Sequence, residues 1–259
     1  DNTAIGFFSL NKTTGSNNTA VGRAAVESNT SGAMNVGIGV QALGSNTTAS
    51  SNVAVGWKAS FTNQTSGSNV AVGHTALYHN TAQRNTAVGF ESLKNTTTGA
   101  YNTAVGWHSM LNNQTGTNNA AFGGAALKNN TSSFNTGIGR HALEFNTSGT
   151  KNTGVGNIAL SKNTTGSHNV ALGYDALGDN TTGSSNTSIG SLALYQNETG
   201  SNNVAVGFEA LNQNTDSNNT AVGYRALKVN TSGDNNVAVG GAVLDANTTG
   251  SNNTAVGYS

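Results

Sequence analysis

Eleven acidic side chains and five histidines hold the acid–base and metal-binding capacity of this 259-residue chain, which contains no Cys. Asp175 and Glu209 are the pair whose spacing could do chemistry, because thirty-four residues separate them. If the backbone winds into seventeen-residue coils stacked at a strand spacing of about 4.8 Å, two coils place these carboxyls roughly 9 to 10 Å apart. That is near the upper edge of the separation used by inverting glycosidases. Arg225, one coil beyond Glu209, would lie beside it as an opposite-charge neighbour. With a cation there and no pocket suggested, no catalytic residue is assigned. His74, His79, His108, His141 and His168 do not recur at one repeat position in adjacent coils, as a metal ladder would need. The G-G-x-G-x-D nonapeptide of calcium-loaded β-rolls is absent too. No metal and no cofactor are expected.

The elements that must carry these residues follow from the period. Asn opens a repeated N-[TV]-A-V-G phrase at Asn2, Asn18, Asn35, Asn52, Asn69, Asn85, Asn102, Asn119, Asn135, Asn152, Asn169, Asn186, Asn203, Asn219, Asn236 and Asn253. Each interval is sixteen or seventeen residues, and no linker interrupts residues 1–259, which read as one continuous array and as a piece of a longer fibre. Counting that Asn as position one, position four is apolar in every copy and mostly β-branched, from Ile5 to Val256. Position nine is Leu or another apolar residue except at Ser60, where the neighbouring Phe61 is a candidate substitute. Such strict rows exclude a disordered polar linker. The unit is too short for a helix pair and too rich in Gly and Asn for stable helices. Its β-branched runs alternate with N-T-T-G-S turn chemistry. The expected fold is all-β: a parallel β-solenoid, or β-roll, of about fifteen 16–17-residue coils forming a thin rod.

Composition removes other classes. Eleven basic and eleven acidic residues, unclustered, offer nothing to neutralise phosphates, so no nucleic acid is expected. Apolar runs such as Ala242–Leu244 are far too short for membrane insertion. The Asn residues at positions one and twelve are read as stacked amide ladders, and the Gly at position five as a turn or close approach that a Cβ would forbid. Several ladder Asn residues, among them Asn46 and Asn163, open N-x-[ST] sequons, a pattern the turn grammar generates by itself.

Two rows bear on partners. Position three is Ala, Gly or Ser throughout, including Ala20, Ala54, Ala71, Ala87, Ala104, Ala205 and Ala221. If position four fills the interior, position three points outward and suits a closely packed neighbouring chain. Position six carries Phe7, Trp57, Phe90, Trp107, Tyr174, Phe208 and Tyr224, an edge that either stacks on sugar rings and protein receptors or packs along the Leu row.

The segments NVAVGWKAS, NTAVGWHSM, NTGIGRHAL and NVALGYDAL resemble the core of the head repeats of trimeric autotransporter adhesins. The full unit NTAVGYxALxxNTTGSN is also similar to repeats of phage tail-fibre proteins. The resemblance implies a left-handed roll, a homotrimer with chains side by side, and a role in attachment. The chain is therefore read as a non-enzymatic structural or attachment segment of an extracellular fibre, on a cell surface or virion, meeting a cell-surface glycan or protein receptor. Two rivals stand beside this. The N-T-T turns resemble grass ice-recrystallisation inhibitors, which implies ice binding; a pure structural spacer is the other.

Overall fold

The structure, a computed structural model, describes residues 1–258. Among these described residues the fold is all-β, with sixteen three-residue strands and no helix. Two compact units divide the chain, Asp1–Thr131 and the residues from Ser132 onward. The first holds β1 (Thr3–Ile5), β2 (Thr19–Val21), β3 (Val36–Ile38), β4 (Val53–Val55), β5 (Val70–Val72), β6 (Thr86–Val88), β7 (Thr103–Val105) and β8 (Ala120–Phe122). The second holds β9 (Thr136–Ile138), β10 (Thr153–Val155), β11 (Val170–Leu172), β12 (Thr187–Ile189), β13 (Val204–Val206), β14 (Thr220–Val222), β15 (Val237–Val239) and β16 (Thr254–Val256).

Within each unit every strand pairs in parallel with the next in sequence, and equivalent repeat positions face each other, as in Val53↔Val70, Ala54↔Ala71 and Val55↔Val72. The chain is thus a parallel β-solenoid whose coils are the sequence repeats. Each strand is short because Gly ends it. Gly6 has φ +129°, and a Cβ built on it would lie 2.6 Å from the Gly22 carbonyl oxygen one coil on, so both conformation and space demand glycine.

Beyond the strand the backbone turns in a way that side-chain preferences would not suggest. Positions seven, nine and the last of each coil are left-handed, as at Ile158 (φ 55°), Leu160 (φ 52°) and His168 (φ 62°). Left-handed backbone costs a non-glycine residue about 1 kcal/mol. What it achieves is to aim alternate N–H groups at opposite neighbours. The Ile158 N–H donates back to Arg140 O at 2.9 Å, and the Leu160 N–H donates forward to Ala176 O at 3.0 Å. The ladder Asn residues at positions one and twelve are not among these left-handed positions.

The interior is thin. Leu43, Leu77, Leu93, Leu127, Leu143 and Leu160 at position nine are wholly buried, with Ala at positions three and eight around them. Asn fills the remaining interior, where an unbonded amide is costly. The position-one ladder runs by backbone N–H to side-chain oxygen: Asn18 N–H to Asn2 Oδ1 at 2.8 Å, Asn35 to Asn18 at 2.9 Å, Asn169 to Asn152 at 2.9 Å. The same side chain clips its own coil shut, Asn152 Nδ2 donating to Gly166 O at 2.8 Å. The position-twelve ladder runs amide to amide, Asn163 Nδ2 to Asn146 Oδ1 and Asn180 Nδ2 to Asn163 Oδ1, both 2.7 Å. Asn46 and Asn163 are fully buried with their amide nitrogens engaged, so the folded coil exposes neither sequon to a glycan.

Candidate functional site

Side chains free to meet another molecule lie on the turn side, on the outward face of the strands, and at the last position of each coil, where Met34, Tyr101 and Phe134 are exposed. On the turn side, Phe7, Trp57, Phe90, Trp107, Tyr174, Phe208 and Tyr224 are all exposed. They do not form one open platform. Trp57 stacks on His74 with centroids 4.6 Å apart, and His74 stacks on Phe90 at 5.1 Å, so three successive coils share a column of rings. Lys58 Nζ sits 4.7 Å from the Trp57 centroid, and Trp107 stacks on His108 at 3.7 Å. Phe208 stacks on Tyr224 at 5.8 Å, with the Arg225 guanidinium 5.5 Å from the Tyr224 ring. Rings spaced by the coil repeat cover one another's faces and leave edges to solvent. Tyr174 differs: its position-six neighbours are Asn157 and Ser191, and among the described residues it stacks on no ring or cation. Phe61 also stays on this side, half-buried and stacked on Tyr78 at 5.5 Å. The Leu-row position beside it is left to buried Ser60, whose hydroxyl has no partner within the chain.

The charges form small surface groups. Glu209 accepts from Arg225 Nε at 2.8 Å and lies 2.6 Å from Lys228 Nζ, the cross-coil pair expected from the spacing plus a second cation. The Lys228 hydrogen bond, then that of Arg225, holds the Glu209 carboxyl below the usual range and keeps it ionised. Asp175 is pushed upward, chiefly by burial and next by the charge of Asp179, which pairs with Lys162 at 2.7 Å. A carboxylate held ionised by two cations is poor acid–base machinery for a glycosidic bond. His108 Nε2 lies 3.1 Å from Glu91 Oε2, and His141 Nδ1 lies 2.6 Å from Glu144 Oε2. Among the described residues no three His, Cys, Asp or Glu side chains converge as a metal cluster, and no helix is long and apolar enough to cross a membrane.

The outward face reverses one expectation. Ala20, Ala54, Ala71, Ala87, Ala104, Ala205 and Ala221 lie wholly buried inside their own chain and cannot pack a neighbouring one. Position three is small because row nine fills the coil: a Cβ on Gly37 would come 2.5 Å from Val26 Cγ2, and one on Gly154 would come 3.3 Å from Leu143 Cγ. Ser188, the one hydroxyl in the row, is also buried and donates to Ala193 O at 2.8 Å. Positions two and four therefore face outward together. Position two presents Thr or Val in every strand but one, and position four presents Val, Ile, Leu or Phe. Ile38, Phe122, Ile138, Leu172 and Ile189 are exposed, and most others in the two ranks are half-buried.

A different row occupies position thirteen. Its Thr hydroxyls bond the backbone of the next coil, Thr30 Oγ1 donating to Thr47 O at 3.0 Å and Thr164 Oγ1 to Thr181 O at 3.0 Å. Those hydroxyls are already committed to backbone. Neither a family model, nor a curated protein, nor a solved structure matches the chain.

Proposed function

We propose that the chain is a non-enzymatic structural segment of an extracellular attachment fibre, assembled as a homotrimer. What carries this reading is the bonding of most interior polar groups to neighbouring coils, with chemical variety concentrated at positions six, seven, ten and eleven and at the last position of each coil. Such a body is a stack of mutually supporting rungs, and its variable edge is where recognition differs from coil to coil. Tyr174 is the natural contact for a sugar ring, because an exposed aromatic face suits the C–H face of a pyranose. Asp175 and Asp179 follow it on the same turn and supply hydroxyl acceptors.

The test is binding of the labelled protein to an immobilised panel of neutral oligosaccharides. Saturable binding that falls at least tenfold with Tyr174→Ala and persists with Trp57→Ala is expected. Absence of binding to glycans and to whole cells leaves a spacer.

A second reading, ice binding, is favoured by one observation: the outward ranks repeat at strand spacing, with Thr at nine of the sixteen position-two sites. Against it, rank four holds no hydroxyl at all, and the position-thirteen hydroxyls are engaged. Inhibition of ice recrystallisation by the purified protein at micromolar concentration, lost on Thr→Lys substitution in rank two, would put ice binding in place of attachment.

A further inference from the structure

We infer that the outward face formed by positions two and four is the surface on which a second copy of this chain packs; this rests on the fibre reading and names the residues of its interface. Three observations carry it. First, none of the thirty-two residues at these positions is charged, although positions six, seven, ten and eleven carry Arg, Lys, Glu and Asp freely. Soluble proteins use charge to keep exposed strands from associating at sheet edges, and this face has none.

Second, the area is that of an interface. Each unit presents eight parallel strands with two outward side chains apiece. At on the order of 50 Å² exposed per side chain, one unit offers about 800 Å², mostly apolar. That exceeds the 300–600 Å² patch of an ordinary monomer and equals what each partner contributes to a standard stable interface.

Third, volume is balanced along the face. The only Phe of rank four, Phe122, shares strand β8 with the only Ala of rank two, Ala120. Water does not require a large residue to be matched by a small one beside it, whereas a packed partner does. The partner is this same chain, because an uncharged face of parallel strands repeating at strand spacing is matched in period by another copy of itself.

The experiment uses the full chain in two forms. Light scattering across dilution should give the wild type a mass of more than one chain, and the triple variant Val55→Lys/Val88→Lys/Val105→Lys a mass of one chain with an unchanged circular dichroism spectrum. A wild type that is a single chain, or an assembly that the triple variant leaves intact, overturns the inference. Because three lysines could unfold the coil, a milder probe exploits the absence of Cys. Val88→Cys on the outward face and Leu111→Cys on the turn side are both half-buried in the single chain. Maleimide should label the Val88→Cys thiol at least tenfold more slowly than the Leu111→Cys thiol; equal rates overturn the inference. An assembly of two chains that dissociates in the triple variant would support this interface while removing the trimer of the fibre reading.

Discussion

Single residues show where this chain departs from its own rule. Ser60 occupies a Leu position between Leu43 and Leu77, buried and with its hydroxyl unpartnered within the chain. Ser60→Leu should stabilise the protein by about 1–3 kcal/mol, since it adds buried apolar surface and removes an orphaned hydroxyl. Chemical denaturation reads this as a higher midpoint at unchanged slope, and a lower midpoint would show that the site has closed around serine. Titration gives a second residue-level prediction. Glu209 and Glu91 have folded pKa values depressed by their cations, the Lys228 hydrogen bond leading for Glu209 and that of Lys94 for Glu91. Their contribution is present above the ordinary carboxylate value of 4.5 and is lost as pH falls through the lower folded values. Asp175 has the opposite sign, because its raised folded pKa makes folding favour the protonated form as pH falls. Thermal unfolding between pH 3 and 7 should therefore show Glu209→Gln flattening the acid limb, and Asp175→Asn raising the midpoint at pH 7. A steeper acid limb in Glu209→Gln would reverse the assignment.

At the scale of the element, the amide ladder distributes the cost of a lost side chain over two coils. Asn163 donates to Asn146 Oδ1 at 2.7 Å and to Gly166 O at 2.9 Å, and it accepts from Asn180 Nδ2 at 2.7 Å. Asn163→Ala removes all three and leaves buried groups unmade, which should cost about 3–5 kcal/mol. Asn247→Ala also removes three bonds, two donated and one accepted from the Gly250 N–H at 3.1 Å, but in a half-buried position near the end of its ladder where water can replace them, and should cost less than half as much. Equal costs in urea titrations would contradict a ladder. The ladders and the glycine turn were legible in the sequence because stacking one residue type at a fixed period has few other uses. The facing of the strand was not. Alternation says that positions two and four share a face and that three opposes them, but a three-residue strand leaves open which face is inside. A uniformly apolar position four, mostly Val, suggested the interior. In fact the depth of the coil is set from the opposite wall, where Leu143 and its equivalents leave room only for Ala, Gly or Ser. The left-handed backbone at Leu160 was hidden for a related reason: leucine has no preference for it, and only the direction of its coil-to-coil hydrogen bond explains it. On the turn side, the aromatic row could be read from position six, but not that Trp57, His74 and Phe90 would cover one another's faces.

For the molecule as a whole, stability in a stacked array is a sum of coil terms and nearest-neighbour terms, so local defects decide where it opens first. The two units differ in this respect. In the second, the position-twelve amides form an unbroken series from Asn146 through Asn163, Asn180, Asn197, Asn214 and Asn230 to Asn247. In the first, Asn46 Oδ1 is buried with no partner within the chain, and Asn63 Nδ2 donates to Ser66 O instead of to Asn46. Thr96 then stands where the series calls for Asn, and its buried hydroxyl is also unpartnered. With Ser60, three orphaned polar atoms fall between residues 46 and 96, each costing about 1–3 kcal/mol. Native-state hydrogen exchange should consequently find the amides of coils 35–101 opening at a lower free energy than those of coils 152–235. Thr96→Asn combined with Ser60→Leu should narrow that difference, slowing exchange in the first unit at least tenfold while leaving the second unchanged. Uniform protection across both units in the wild type would mean that the coils open together and that these defects are absorbed by the whole stack, not by their neighbours.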